Sequence, residues 1–249
     1  MIEYAAAGGI ARITLNRPDK RNAITGEMMF MLREVLQRAA DDSSVRVLLI
    51  RGAGKDFCAG LDLSEVLKSA EDASEAIASA RRLGELYIAM RRHPKPIVAA
   101  VQGRALGGGA GFATASDLIL ATESAHFGYP EVKLGFIPAI VTTMLRRAVN
   151  ERQAMELALT GEPISARRAY AIGLINRVLP DAEFDAGVES YVATLAETSA
   201  TAMSLSKALL YQTDGMSFEA SIEAGVEANA RARMTGDFKR GVARFLKKS

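Results

Sequence analysis

Three consecutive glycines lie within GRALGGGAGF (103–112), directly after the apolar run PIVAAVQ, and a fourth, Gly111, follows two residues later. Glycine weakens a helix, so a backbone kept this bare points to something that must approach it closely. A second loop, KDFCAGLDLSE (55–65), leaves the run VRVLLIRG and enters a helical stretch through Gly60. Each loop opens a helix with glycine after a strand, and each helix start presents free N–H groups near about half a unit of positive charge. Two such ends aimed at one point would hold a developing oxyanion, as acyl chemistry requires.

Other chemistries fit these residues less well. A GxGxxG nucleotide pattern started at Gly107 fails at Phe112, and one started at Gly109 fails at Thr114. No GxxxxGK[ST] phosphate loop is present. Cys58, in FCAG, has no His and Asp pattern to activate it and reads as a small buried residue. His93 and His126 are isolated from carboxylates and from the cysteine, so no metal site is expected.

The elements that must position these loops alternate between strand and helix. GIARITL (9–15), VRVLLIRG (45–52), PIVAAVQG (96–103), DLILATES (117–124) and GLINRVLP (173–180) read as strands. The second, apolar without alternation, suits a strand buried on both faces. Thr25 is the expected N-cap of a helix with Met28, Leu32, Val35, Leu36 and Ala39 on one face. Residues 63–92 read as one charged helical segment broken near Gly84, and a short helix follows the glycine run. AIVTTMLRRAV, ERQAMELAL and SARRAYAI are successive helices, and from Asp181 the pattern is helical almost to the end. Strands alternating with helices predict an α/β core, with residues 1–195 as the core and 196–249 as a helical region for assembly.

The whole chain narrows the function classes. Of 249 residues 49% are hydrophobic, enough for a sizeable core, and 31 basic residues face 29 acidic ones. That balance leaves no basic stripe for nucleic acid. A single cysteine makes no internal disulfide and suits a reducing cytosol. No apolar run nears the ~20 residues of a membrane helix, and the N-terminus lacks a signal-peptide pattern. A cytoplasmic protein bound to neither membrane nor nucleic acid is expected.

FCAGLDL, KPIVAAVQGRALGGGAGF, ASDLILA, AHFGYPEVKLGFIP and LTGEPISARRAYAIGLINRVLP, in this order, resemble the crotonase (enoyl-CoA hydratase/isomerase) superfamily. The resemblance runs from about Ile10 to Pro180 and continues more loosely to the C-terminus. It implies the crotonase (ClpP-like) fold of repeated ββα units with a C-terminal helical trimerisation region, assembled as a homotrimer or dimer of trimers. It also implies an acyl-CoA thioester substrate, no cofactor beyond that coenzyme A, and an oxyanion hole formed by the Leu61 and Gly108 amides. Glu131 becomes the catalytic carboxylate. Substrate contacts are implied for Lys20, Ala59, Gly60, Asp62, Gly107, Gly111 and Tyr129. In the terminal GVARFLKK, Phe245 and Lys248 fall where the family touches the adenine end of CoA.

One position departs from the pattern. Hydratases of this family generally carry a second glutamate where this chain has Gly111. Two carboxylates divide the activation of water from protonation of the α-carbon, whereas one can shuttle a proton between two carbons. The first reading is an enoyl-CoA hydratase working through Glu131 alone. A Δ3,Δ2-enoyl-CoA isomerase is the alternative, and a catalytically silent acyl-CoA-binding protein is the third. Gly111 itself either enlarges the acyl pocket or marks lost activity. Phe127, Val132 and Phe136 are the expected source of desolvation around Glu131.

Overall fold

In a computed structural model that describes residues 1–247, the apolar runs pair into a six-stranded sheet. Its order is β1 (Ile2–Ala7), β2 (Ile10–Leu15), β3 (Val47–Gly52), β4 (Ile97–Val101), β6 (Leu118–Thr122) and β9 (Arg177–Leu179). All neighbours are parallel except β1 and β2. A smaller sheet joins β5 (Arg104–Leu106), β7 (His126–Gly128) and β8 (Ile164–Ser165). This is the α/β architecture expected from the sequence.

Eleven described helices surround the sheets: α1 (Gly26–Asp41), α2 (Leu63–Ser69), α3 (Ala73–Arg92), α4 (Gly108–Ala115), α5 (Ala139–Ala148), α6 (Glu151–Thr160), α7 (Ala166–Ala171), α8 (Phe184–Glu197), α9 (Ala200–Gln212), α10 (Phe218–Met234) and α11 (Gly236–Leu246). Strand β3 shows why the run VRVLLIRG lacks alternation. Leu48 and Ile50 join the large core with Met28, Leu32, Leu86 and Phe112. Val47 and Leu49 face the opposite side, where Phe184, Val188 and Val192 of α8 cover them. Both faces are dry, so both are apolar. Thr25 caps α1 as expected, accepting from the Met28 N–H at 3.2 Å.

Three elements differ from expectation. Strand β1 was not legible: IEYAAA is mostly exposed, and antiparallel pairing to β2 holds it at the sheet edge. Segment 63–92 breaks at 70–72, not near Gly84. Asp72 accepts hydrogen bonds from the Ser74 and Glu75 N–H groups and starts α3 afresh, while a Cβ on Gly84 would meet nothing within 4 Å. The last strand is confined to Arg177–Leu179, with Leu174 and Ile175 buried before it.

The C-terminal helices are tied to the sheet by a buried cluster. Lys207 Nζ on α9 lies 2.7 Å from Asp117 Oδ2, and the Tyr211 hydroxyl donates to Asp117 Oδ1 at 2.7 Å. Beyond it, Phe218, Val226 and Met234 of α10 and Phe238 and Leu246 of α11 are exposed. No described helix is long and apolar enough to cross a membrane.

Candidate active site

Backbone pairing brings three distant segments together. The loop after β3 runs alongside β5: Phe57 N–H donates to Gln102 O at 2.8 Å, Cys58 N–H to Arg104 O at 3.0 Å, and Leu106 N–H to Cys58 O at 3.0 Å. A bidentate ion pair from Arg104 Nε and Nη2 to Asp56 locks the same two loops. Parallel pairing of β5 with β7 sets Leu106 opposite Gly128, and Gly107 N–H donates to Gly128 O at 2.8 Å. The chain then passes Pro130 and reaches Glu131. Leu61, Gly108 and Glu131 thereby share one cavity of about 350 Å³.

The Leu61 and Gly108 amides are neighbours, unpaired among the described residues. On the other side of its loop, Gly60 O accepts from Ile24 N–H and Asp62 N–H donates to Ile24 O. The Leu61 amide between them has no acceptor among the described residues, and neither has Gly108, the first residue of α4. A Cβ on Gly60 would stand 3.7 Å from Gly108 N, and one on Gly108 would stand 3.6 Å from Leu61 N. The two amides are therefore close neighbours. Gly107 turns the chain into α4 with φ +52°, and a Cβ there would lie 3.1 Å from Glu131 Oε1. The left-handed φ favours glycine at that position.

The turn carrying Gly108 is pinned on every side. Gly107 O accepts from Gly111 N–H at 2.9 Å, and the fully buried Tyr87 hydroxyl donates to Gly108 O at 2.7 Å. Behind the turn, Gly109 packs so tightly that a Cβ would fall 2.3 Å from Cys58 O. The three glycines thus answer three demands: a turn, a free amide and a close contact.

Glu131 brings a desolvated carboxylate to the same cavity. Burial pushes its carboxyl above the ordinary glutamate range. Its Oε2 is shielded from solvent and has no hydrogen-bond partner among the described residues. The cavity beside it is walled by Leu83, Val141 and Ile140, with Phe136 farther out.

Several residues expected to touch substrate do not line this cavity. Gly111 does not enlarge the cavity. It is buried in α4, and a Cβ there would fall 2.3 Å from Val141 Cγ1 and 2.7 Å from the Tyr87 hydroxyl oxygen. The space a second glutamate would enter is filled. Tyr129 is fully buried, its hydroxyl 3.2 Å from Thr114 Oγ1, and packs behind the cavity. Asp62 is held by Ser64 and Arg17, which bring its carboxyl down to about 2, and it caps α2. Lys20 is exposed in the turn Pro18–Lys20, next to Arg21 whose carbonyl accepts from the Ala59 N–H. Neither Lys20, Ala59 nor Gly60 forms part of the cavity wall. Phe245 is exposed on α11, apart from the cavity, and Lys248 lies outside the described residues.

Cys58 is fully buried with its thiol pushed up to about 12, which removes it as a nucleophile. His93 is buried between Leu36 O and Lys95, and burial lowers its pKa. No group of three or more potential metal-ligating side chains occurs among the described residues. Sequence reasoning missed Tyr87, Val141, Asp56 and Arg104, whose roles arise from contacts across the fold.

The packing at Gly111 gives a direct expectation. Gly111→Ala forces overlap with Val141 and should destabilise the protein by about 1–3 kcal/mol, as overpacked cores do. Thermal melting checks this, and Gly111→Ala combined with Val141→Ala should recover part of the loss. An unchanged melting temperature in the single variant would contradict the packing.

The family model described as enoyl-CoA hydratase/isomerase matches residues 5–249. The 2,3-dehydroadipyl-CoA hydratase of Escherichia coli (strain K12) is 33% identical over 238 residues, covering 95% of this chain and 91% of the relative. The 1,2-epoxyphenylacetyl-CoA isomerase of the same organism is 31% identical over 243 residues, covering 96% and 93%. A crystal structure of an enoyl-CoA hydratase from Mycobacterium smegmatis superposes with a TM-score of 0.95 at 30% identity, covering 99% of this chain and 96% of that one.

Proposed function

The chain belongs to the enoyl-CoA hydratase/isomerase family, and from that premise we propose that it hydrates a 2-enoyl-CoA thioester with Glu131 as its only acid/base. The observation that carries this reading is one desolvated carboxylate in the same cavity as two free amides. Water oxygen bonds to C3 while Glu131 takes its proton, and the electron pair moves onto the thioester oxygen. The Leu61 and Gly108 N–H groups stabilise that enolate oxygen. Glu131 then returns the proton to C2, and the enolate collapses to the 3-hydroxyacyl product. Coenzyme A arrives with the substrate, so the steps call on no resident cofactor.

One observation favours a second reading. Because Val141 and Tyr87 fill the space beside Gly111, no second carboxylate holds the water, and a proton shuttle from C4 to C2 requires none. Incubation with 2-enoyl- and 3-enoyl-CoA esters, with products resolved by mass and NMR, separates the readings. Mass gain by one water from the 2-enoyl ester supports hydration, and 3-enoyl to 2-enoyl conversion without mass change supports isomerisation. No turnover of either would leave acyl-CoA binding without catalysis.

The assembly proposed with this function is a homotrimer or dimer of trimers. Exposed apolar residues on α10 and α11, including Phe218, Ile222, Met234 and Leu246, form more apolar surface than a solvated tail carries. Light scattering at micromolar concentration should report a trimer or hexamer, and a monomer would count against the proposal.

A further inference from the structure

The cavity that holds Glu131 continues away from it along α3. Leu83, Ala80 and Ala76 line it at the helical spacing of one face, with Val66 of α2 and Ala70 just after that helix also lining it. Leu83 is buried, whereas Ala80 beyond it is exposed, Ala76 is half-buried and Ile77 is 60% exposed, and Phe136 and Ile137 are 52% and 63% exposed. The cavity is therefore a groove, closed at Glu131 and open at its far end. Glu131 is the only ionisable residue among those lining it.

We propose that this groove takes an uncharged aliphatic acyl tail of medium length, laid outward from Glu131 along α3, and that it rejects tails ending in a carboxylate. This rests on the acyl-CoA reading above. The thioester oxygen must lie at the Leu61 and Gly108 amides, so the reacting carbons lie at Glu131 and the tail has the groove to follow. The seven residue steps from Ala76 to Leu83 span about 10 Å. An extended chain covers that in about eight carbon–carbon bonds, each advancing roughly 1.25 Å for single bonds of ~1.5 Å. A tail carboxylate would lose water against the buried Leu83 and meet an apolar wall with no cation among the lining residues, and Glu131 would repel it.

Calorimetric titration with saturated acyl-CoA esters tests this without requiring turnover. Affinity should rise about fourfold for each methylene buried, on the order of 10²-fold from butanoyl- to octanoyl-CoA. It should then level off for dodecanoyl-CoA, whose end reaches solvent. Adipoyl-CoA should bind at least about tenfold more weakly than hexanoyl-CoA, the cost of one uncompensated buried charge. Ala80→Phe, which fills the groove, should bring the octanoyl-to-butanoyl affinity ratio close to one. Equal affinities for butanoyl and octanoyl esters, adipoyl binding equal to hexanoyl, or an unchanged ratio in Ala80→Phe would each overturn the proposal. Turnover is scored separately: a steep chain-length dependence without any reaction would refute the hydration and isomerisation readings and keep this one.

Discussion

Glu131→Gln is expected to lower kcat by ~10²–10⁴-fold, the usual loss when a general acid/base is removed, while acyl-CoA affinity changes little. The same variant should melt at a higher temperature than the native protein at pH 7. Both effects come from one fact: the carboxylate is desolvated, and its Oε2 is buried with no partner among the described residues. A glutamate whose folded pKa is raised contributes full stability below its unfolded pKa and loses it as pH rises through the folded pKa. The melting advantage of the Gln variant should therefore be largest above the folded pKa and fade as pH falls below the ordinary glutamate range. Catalysis needs the carboxylate to take a proton first, so the acidic limb of kcat/KM in the native protein should lie above that ordinary range. A variant that keeps native turnover would refute the assignment. One that loses turnover and also melts lower at pH 7 would assign Glu131 a structural share.

The backbone parts of the site were legible because glycine betrays them. Gly60 and Gly107–Gly109 mark places where side chains are excluded, and the strands before them set the direction of approach. Glu131 was legible from its short motif, and the core face of α1 from its spacing. The contents of the space beside Gly111 were not legible. Val141 and Tyr87 reach it from helices remote in sequence, and nothing local in either helix marks that contact. A consequence follows for engineering: Gly111→Glu alone does not add a second carboxylate to this cavity, because its Cβ already overlaps Val141. Tyr129 misled for a related reason. Its place two residues before Glu131 suggests the cavity, but the turn into Pro130–Leu134 sends it into the core beside Thr114. The break between α2 and α3 was signalled by Asp72, a capping residue outweighed by the more conspicuous Gly84.

Gly108→Pro should lower kcat by ~10²–10³-fold, the loss of one oxyanion donor, worth about 2.7–4 kcal/mol. Proline is a fair probe here because Gly108 is the first residue of α4. At that helix position proline's fixed φ is compatible with the fold and its missing N–H interrupts no helical hydrogen bond. The ring does bring a Cβ, which would lie 3.2 Å from Leu61 Cγ, the middle of a half-buried side chain. Gly108→Ala brings the same Cβ and retains the N–H, so it isolates the steric share. If the amide holds the enolate, the Ala variant should keep most of its kcat while the Pro variant loses it, with melting temperatures of the two close together. Equal losses in both would assign the effect to crowding at Leu61 and remove Gly108 from the oxyanion hole. A Pro variant with native kcat would mean that Leu61 alone, or a group outside this cavity, carries the charge.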